Sequence, residues 1–166
     1  MRFGILGPLE VRTDDGRLVP VREKKVRALL ARLLADPGRP VTADRLVADL
    51  WGGEEPAAPR AALHTKISLL RRAIAPVAVE RVGDAYRIEA DTDAAAFTAL
   101  TERAAAATGP ERAALLERAL GLWRGDALAE FDHLAAVAAA LGDRRLAART
   151  DLLETRLDLG RADGVL

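Results

Sequence analysis

The sequence predicts an α+β N-terminal half followed by an all-α half, and three observations carry that division. Short β-like runs separated by turn residues occur only before residue 90. A two-faced helical pattern at 59–74, apolar on one side and basic on the other, lies among them. After residue 90 the chain becomes rich in alanine and leucine at helical spacing, with breaks at Thr108-Gly109-Pro110 and Trp123-Arg124-Gly125-Asp126. The chain has 166 residues, enough for one ordinary domain or two small ones, and half of it is apolar. Its net charge is zero. Residues 1–90 carry 16 Lys+Arg against 12 Asp+Glu, whereas residues 91–166 carry 9 against 13. That asymmetry suits a first half facing nucleic acid and a second half with another role.

Residues 2–7 and 9–13 read as strands interrupted at Gly7-Pro8, and Asp14-Asp15-Gly16 as a turn, with Leu18–Val21 as a possible return strand. Residues 23–35 form the first helix, with Val26, Leu29, Leu30, Leu33 and Leu34 on its apolar stripe. Lys24, Lys25, Arg27 and Arg32 fall off the stripe, on a solvated face or against phosphates. Asp36-Pro37-Gly38 ends the helix. Thr42 is a suitable N-cap for a short helix with Leu46, Val47, Leu50 and Trp51 apolar, ending at Gly52-Gly53. Trp51 reads as a core aromatic.

The loop through Glu54, Glu55, Pro56 and Pro59 leads into the two-faced helix. There Leu63, Ile67, Leu70 and Ile74 face a core, while Arg60, His64, Thr65, Ser68, Arg71 and Arg72 occupy the polar surface. Residues 77–82 and 85–88 make a hairpin about Gly83-Asp84, with Tyr86 packing it on the helices and Arg81 and Arg87 available to phosphates. Helix, longer turn, basic helix and hairpin, in that order, define a winged helix-turn-helix, with the basic helix lying in the major groove of DNA.

Beyond residue 90, Asp93 caps a helix containing Phe97 and Leu100, and a second helix covers 111–122. Leu128, Phe131, Leu134 and Val137 continue at helical spacing, interrupted near Gly142-Asp143. A last helix from Arg144 to Leu159 places Leu146, Leu153 and Leu157 inward and ends at Gly160, after which ADGVL begins a further helix. These are paired antiparallel helices of a repeat-like solenoid. The fold class is therefore an α+β winged helix-turn-helix followed by an all-α helical-repeat domain, divided as residues 1–90 and 91–166.

Several functions are excluded by what the chain lacks. Without cysteine there is no disulfide framework and no thiolate metal site, which fits a reducing compartment. The N-terminus has no long apolar run or cleavage signal, and no stretch is long enough to span a membrane. The only histidines are His64 and His133. Asp126, Glu130 and Asp132 near His133 read as surface charge rather than metal ligands. His64 beside Thr65 and Ser68 lacks an acidic orienter, so no nucleophilic triad forms and the chain is not an enzyme. No glycine-rich phosphate loop is present, and no cofactor is expected.

The chain resembles the N-terminal part of SARP or AfsR-like actinobacterial regulators. That family joins an OmpR-type winged helix to a bacterial transcriptional activation domain of tetratricopeptide-like helices. The segments that carry the likeness are FGILGPLEV, KKVRALLARLLADPGRPVTADRLVADLWG, PRAALHTKISLLRRAI, VGDAYRIEA, ERALGLWRGDALAEF and RLDLGRADGVL. Two positions depart from the family, His64 where a glutamine-like residue is usual and Leu69 where arginine is frequent. The second half is also short for the family. The resemblance implies a cytoplasmic, nucleoid-associated activator that binds repeats in promoter DNA and recruits RNA polymerase and its sigma factor, controlling secondary metabolism. It implies that Gly53, Glu54 and Glu55 face the polymerase, that the protein can dimerise on direct repeats, and that no membrane is involved. The competing reading of the residues alone is a protein-interaction or oligomerisation module with little affinity for DNA.

Overall fold

The computed structural model describes residues 1–163. The α+β half consists of β1 (Arg2–Gly4), β2 (Glu10–Arg12), α1 (Lys24–Leu34), β3 (Val41–Thr42), α2 (Ala43–Trp51), α3 (Pro59–Ala73), β4 (Val79–Val82) and β5 (Ala85–Ile88). The helical half consists of α4 (Asp93–Ala106), α5 (Gly109–Leu120), a single 3-10 turn at Asp132–Leu134 and α6 (Ala135–Asp163). The winged helix-turn-helix and the helical-repeat unit are therefore both present.

Each helix of the first half has a local cause. Glu23 caps α1 by accepting from the Lys25 and Val26 amides at 3.2 and 3.0 Å. Thr42 caps α2 by accepting from Arg45 N at 3.3 Å. Gly52 closes α2 in the left-handed region, φ 57°, which glycine adopts without steric cost. Pro59 opens α3, where its missing N–H costs no helical bond. The apolar faces of α1, α2 and α3 meet through fully buried Leu29, Leu30, Leu46, Leu63, Ile67 and Leu70. The second sheet runs β3–β5–β4, all antiparallel, and seats Tyr86 and Ile88 on that core.

The first sheet is smaller than the sequence reading. β1 and β2 pair antiparallel with Phe3 opposite Val11, and each has three residues. Leu18–Val21 contributes only a bridge from Leu18 to Arg12, since Leu18 is exposed and Pro20 offers no N–H. Residues 5–9 leave the sheet because they bond to the helical half instead. The Ile5 and Leu6 amides donate to the Asp93 carboxylate at 2.8 and 3.1 Å, and Leu9 N donates to Glu130 Oε1 at 2.9 Å. Arg124 N donates to Leu6 O at 2.8 Å, and its guanidinium reaches Pro8 O at 2.8 Å, Glu10 at 3.2 Å and Asp93 at 3.3 Å. A Cβ at Gly7, whose φ is 147°, would lie 3.0 Å from Arg124 Cβ, so the loop needs a glycine there on both counts. The FGILGPLEV and LWRGDALAEF motifs are thus each other's partners.

The helical half differs from the sequence reading in four places. Thr92, not Asp93, is the N-cap of α4, accepting from Ala95 N at 3.0 Å; the Asp93 carboxylate is committed to the 5–6 amides. Gly142-Asp143 and Gly160 do not break or end the last helix, since α6 runs unbroken from Ala135 to Asp163. Two glycines among alanines, leucines and arginines are tolerated because their neighbours favour helix strongly. Leu146, Leu153 and Leu157 face outward at 63%, 61% and 61% exposure, while Leu141, Ala148, Leu152 and Thr155 face α5. Finally, the helical spacing read from Leu128 onward becomes helix only at Asp132, and residues 127–130 form turns. The further helix expected from ADGVL lies outside the described residues beyond Asp163.

Candidate nucleic-acid interface

α3 is held from behind by Leu63, Ile67, Leu70 and Ile74, all buried. One helical turn is 3.6 residues, so this seam fixes the opposite face: His64, Thr65, Ser68, Arg71 and Arg72 are all exposed. β4 and β5 stand beside that face. His64, Ser68 and Arg71 of the helix join Arg81 and Tyr86 of the hairpin around a cleft of about 160 Å³. The rings of His64 and Tyr86 meet edge to face at 6.5 Å. Helix and hairpin thus present one continuous surface.

The predicted site residues divide by the partners they already have. Arg60 is ion-paired with Asp84 of the hairpin turn and with Asp44 of α2, the latter at 2.7 Å, and these carboxylates raise its pKa. Arg87 is paired with Glu80 at 2.8 Å, which raises its pKa likewise. Arg71 donates from Nε and Nη2 to Val79 O at 3.1 and 2.8 Å, stapling α3 to β4 while keeping its full charge. Arg81 donates from Nε to Gly83 O at 3.0 Å, also a neutral acceptor. Arg72 is exposed. Among the described residues, Arg71, Arg72 and Arg81 of this surface form no ion pair with a carboxylate. Thr65 returns its hydroxyl to Ala61 O at 3.2 Å, and Ser68 stays exposed. Gly53, Glu54 and Glu55 are exposed in the α2–α3 loop.

The basic residues of α1 turn out to be neither a free solvated face nor a phosphate track, Lys24 excepted. Lys25 donates to Leu50 O at 2.8 Å and lies 5.4 Å from the Trp51 ring centre, which is half-buried. Arg32 sits 3.2 Å from buried Asp49, which Arg45 approaches to 3.0 Å. Arg27 reaches Glu130 at 2.8 Å and the Leu9 and Val21 carbonyls at 3.2 Å. Sequence reasoning missed all three roles because the acceptors are distant in the chain. The residues around His133 show no ligand set: among the described residues no group of three His, Asp or Glu is placed to hold a metal. None of the described helices is long and apolar enough to cross a membrane.

Comparison with known proteins agrees with this geometry. Residues 20–83 match the family model described as transcriptional regulatory protein, C terminal, and residues 92–166 match the bacterial transcriptional activator domain. The chain is 35% identical to the regulatory protein AfsR of Streptomyces coelicolor, over 99% of this chain and 17% of AfsR. It is 32% identical to the transcriptional regulatory protein EmbR of Mycobacterium tuberculosis, over 99% of this chain and 46% of EmbR. It is 31% identical to the regulatory protein DnrI of Streptomyces peucetius, over its whole length and 68% of DnrI. The chain therefore spans less than half of AfsR and EmbR and about two thirds of DnrI. The solved structure of Mycobacterium tuberculosis EmbR in complex with a low-affinity phosphopeptide superposes with a TM-score of 0.84 at 33% identity, over 99% of this chain and 47% of that one. With family matches in both halves and about two thirds of DnrI covered at 31% identity, the chain belongs to the SARP/AfsR-like family of regulators, in which an OmpR-type winged helix is joined to a tetratricopeptide-like bacterial transcriptional activator domain.

Proposed function

We propose that the chain is a sequence-specific DNA-binding transcriptional activator, with residues 1–90 as its DNA-binding domain and residues 91–166 as a bacterial transcriptional activation domain. The observation that carries this reading is the continuous surface of α3 and hairpin on which Arg71, Arg72 and Arg81, among the described residues, form no ion pair with a carboxylate. α3 enters the major groove, where His64, Thr65 and Ser68 approach base edges or adjacent phosphates. Arg72 and Arg71 hold the backbone at the C-terminal end of the helix. Arg81 and Arg87 bring the wing to a neighbouring phosphate, with Arg87 contributing less net charge because Glu80 accompanies it. Neutralised phosphates release counterions, so binding weakens as salt rises.

The remaining steps rest on family membership. The protein binds direct repeats beside a promoter, as a homodimer, and recruits RNA polymerase and its sigma factor through the exposed Gly53-Glu54-Glu55 loop. The genes controlled belong to secondary metabolism, and the setting is the cytoplasm, on the nucleoid.

The test selects fragments of the host genome on the purified protein, footprints the enriched sequences, and titrates them by fluorescence anisotropy across salt. Protection over direct repeats next to a promoter, with affinity falling steeply with salt, supports the reading. No protected site, or a salt-insensitive protein partner captured instead, refutes it in favour of a protein-interaction module.

A further inference from the structure

Arg60 stands at the meeting point of three elements. It is the second residue of α3, and its guanidinium donates from Nη2 to Asp44 Oδ1 in the first turn of α2, at 2.7 Å. From Nη1 it donates to Asp84 Oδ1 in the turn of the hairpin. The backbone joins two of the same elements, because Ala43 N donates to Asp84 O at 2.8 Å and Thr42 pairs with Ala85. One cation sits between two carboxylates, and Arg81 also acts on Asp84 from beside the turn. A phosphate approaching Arg60 therefore meets two anions already bound to it, and capturing Arg60 requires breaking two charge-assisted bonds.

We infer that Arg60 is a positioning residue for the wing, and that it does not contact phosphate. It cross-links the turn of the hairpin to the start of α2 and to α3, and so sets the angle at which wing and α3 meet the duplex. The planar fork is what makes this possible: two donors on one rigid group address two carboxylates at once, which an ammonium on a flexible stem does not reproduce. Arg60, Asp44 and Asp84 are 52%, 82% and 57% exposed, so the pairs add little to global stability; what they restrain is the orientation of the turn.

The inference rests on the DNA-binding reading only for its affinity arm, and two measurements separate them. The first, without DNA, is amide hydrogen exchange in the full chain for the parent, R60A, R60K and D84A. Exchange at the Ala43 amide and through β4 and β5 should quicken by about threefold or more in all three variants, with the melting temperature unchanged. Exchange in R60A and D84A equal to the parent overturns the inference whether or not the protein binds DNA. The second is affinity against salt. Loss of the brace lowers affinity in R60A, R60K and D84A alike, with the parent's salt slope retained. A phosphate contact predicts the opposite pattern: D84A, having freed Arg60, binds as tightly as the parent or more tightly, R60K is spared, and R60A shows a slope shallower by about 0.9. That pattern also overturns the inference. A parent that shows no DNA affinity refutes the proposed function, while the exchange measurement still decides the role of Arg60.

Discussion

Arg124→Ala should uncouple the two halves at measurable cost. The side chain donates to Pro8 O at 2.8 Å and lies 3.2 Å from Glu10 and 3.3 Å from Asp93, all outside its own helical unit or at its edge. A hydrogen bond from a charged donor to a carbonyl contributes about 1.5 kcal/mol. The two ion pairs add about 0.5 kcal/mol together, since Arg124 is 30% exposed and solvent screens them. The sum is about 2 kcal/mol, which in a chain of this size lowers the melting temperature by about 4–8 °C. The assay is urea denaturation followed by far-ultraviolet circular dichroism. R39A is the control, because Arg39 pairs with Asp36 at 3.1 Å in the open, 79% and 58% exposed, and its loss should stay within about 0.5 kcal/mol. The intrinsic fluorescence of Trp51 and Trp123, the only two tryptophans, gives a reporter in each half. Coincident transitions in the parent and separated ones in R124A would show that the residue enforces cooperativity. If R124A and R39A unfold at the same urea concentration, the reasoning about the junction is wrong.

R72A should reduce the salt slope of DNA binding by about 0.9 with stability unchanged, whereas R71A should reduce both, because Arg71 also holds Val79 O; equal melting curves for R71A and the parent would contradict that second role. L152A should lose about 2–4 kcal/mol, and L153A less than about 0.5, in the same denaturation assay; a reversed order would mean that α6 presents its other face to α5. His133 is pushed below its ordinary pKa of 6.5, first by burial. The folded state prefers the neutral ring, so the unfolded chain binds the proton first as pH falls. That contribution is complete above about pH 6.5 and is lost as pH drops through the lower folded value. H133Q should therefore flatten the pH dependence of the urea midpoint just below neutrality, and an unaltered slope would exclude the residue. Asp84 and Glu23, both held below their usual carboxylate values, act in a separate and more acidic window.

The parts of this fold that were legible in the sequence are those where one face alone is apolar. α3 shows Leu63, Ile67, Leu70 and Ile74 against a polar remainder, so its seam and its free face could both be read. α6 could not be oriented because it has two apolar faces: alanines and leucines occur all around it, and only the position of α5 decides between Leu152 and Leu153. The positions of the basic residues were equally plain, but their availability was not. Arg60 finds Asp84 across 24 residues and Arg27 finds Glu130 across 103, and no local pattern announces such a partner. Three arginines of the proposed surface therefore keep their charge while two arrive already neutralised. The glycine at position 7 looked like a turn residue, and its second reason, the approach of Arg124, came only with the tertiary contact.

The bonding of residues 5–9 bears on the order in which the chain assembles during synthesis. These residues leave the ribosome well before their partners: Asp93 is 88 residues beyond Ile5, Arg124 is 116 beyond Pro8, and Glu130 is 121 beyond Leu9. At about 5–20 residues per second, the amide of Leu9 waits about 6–24 s for its acceptor. α1, α2, α3 and the hairpin can meanwhile close on one another, with the Ile5, Leu6 and Leu9 amides still awaiting these acceptors. The 5–9 segment is thus fixed after the helices that follow it, and a substitution at Asp93, Arg124 or Glu130 would lengthen the time for which its backbone groups lack their partners.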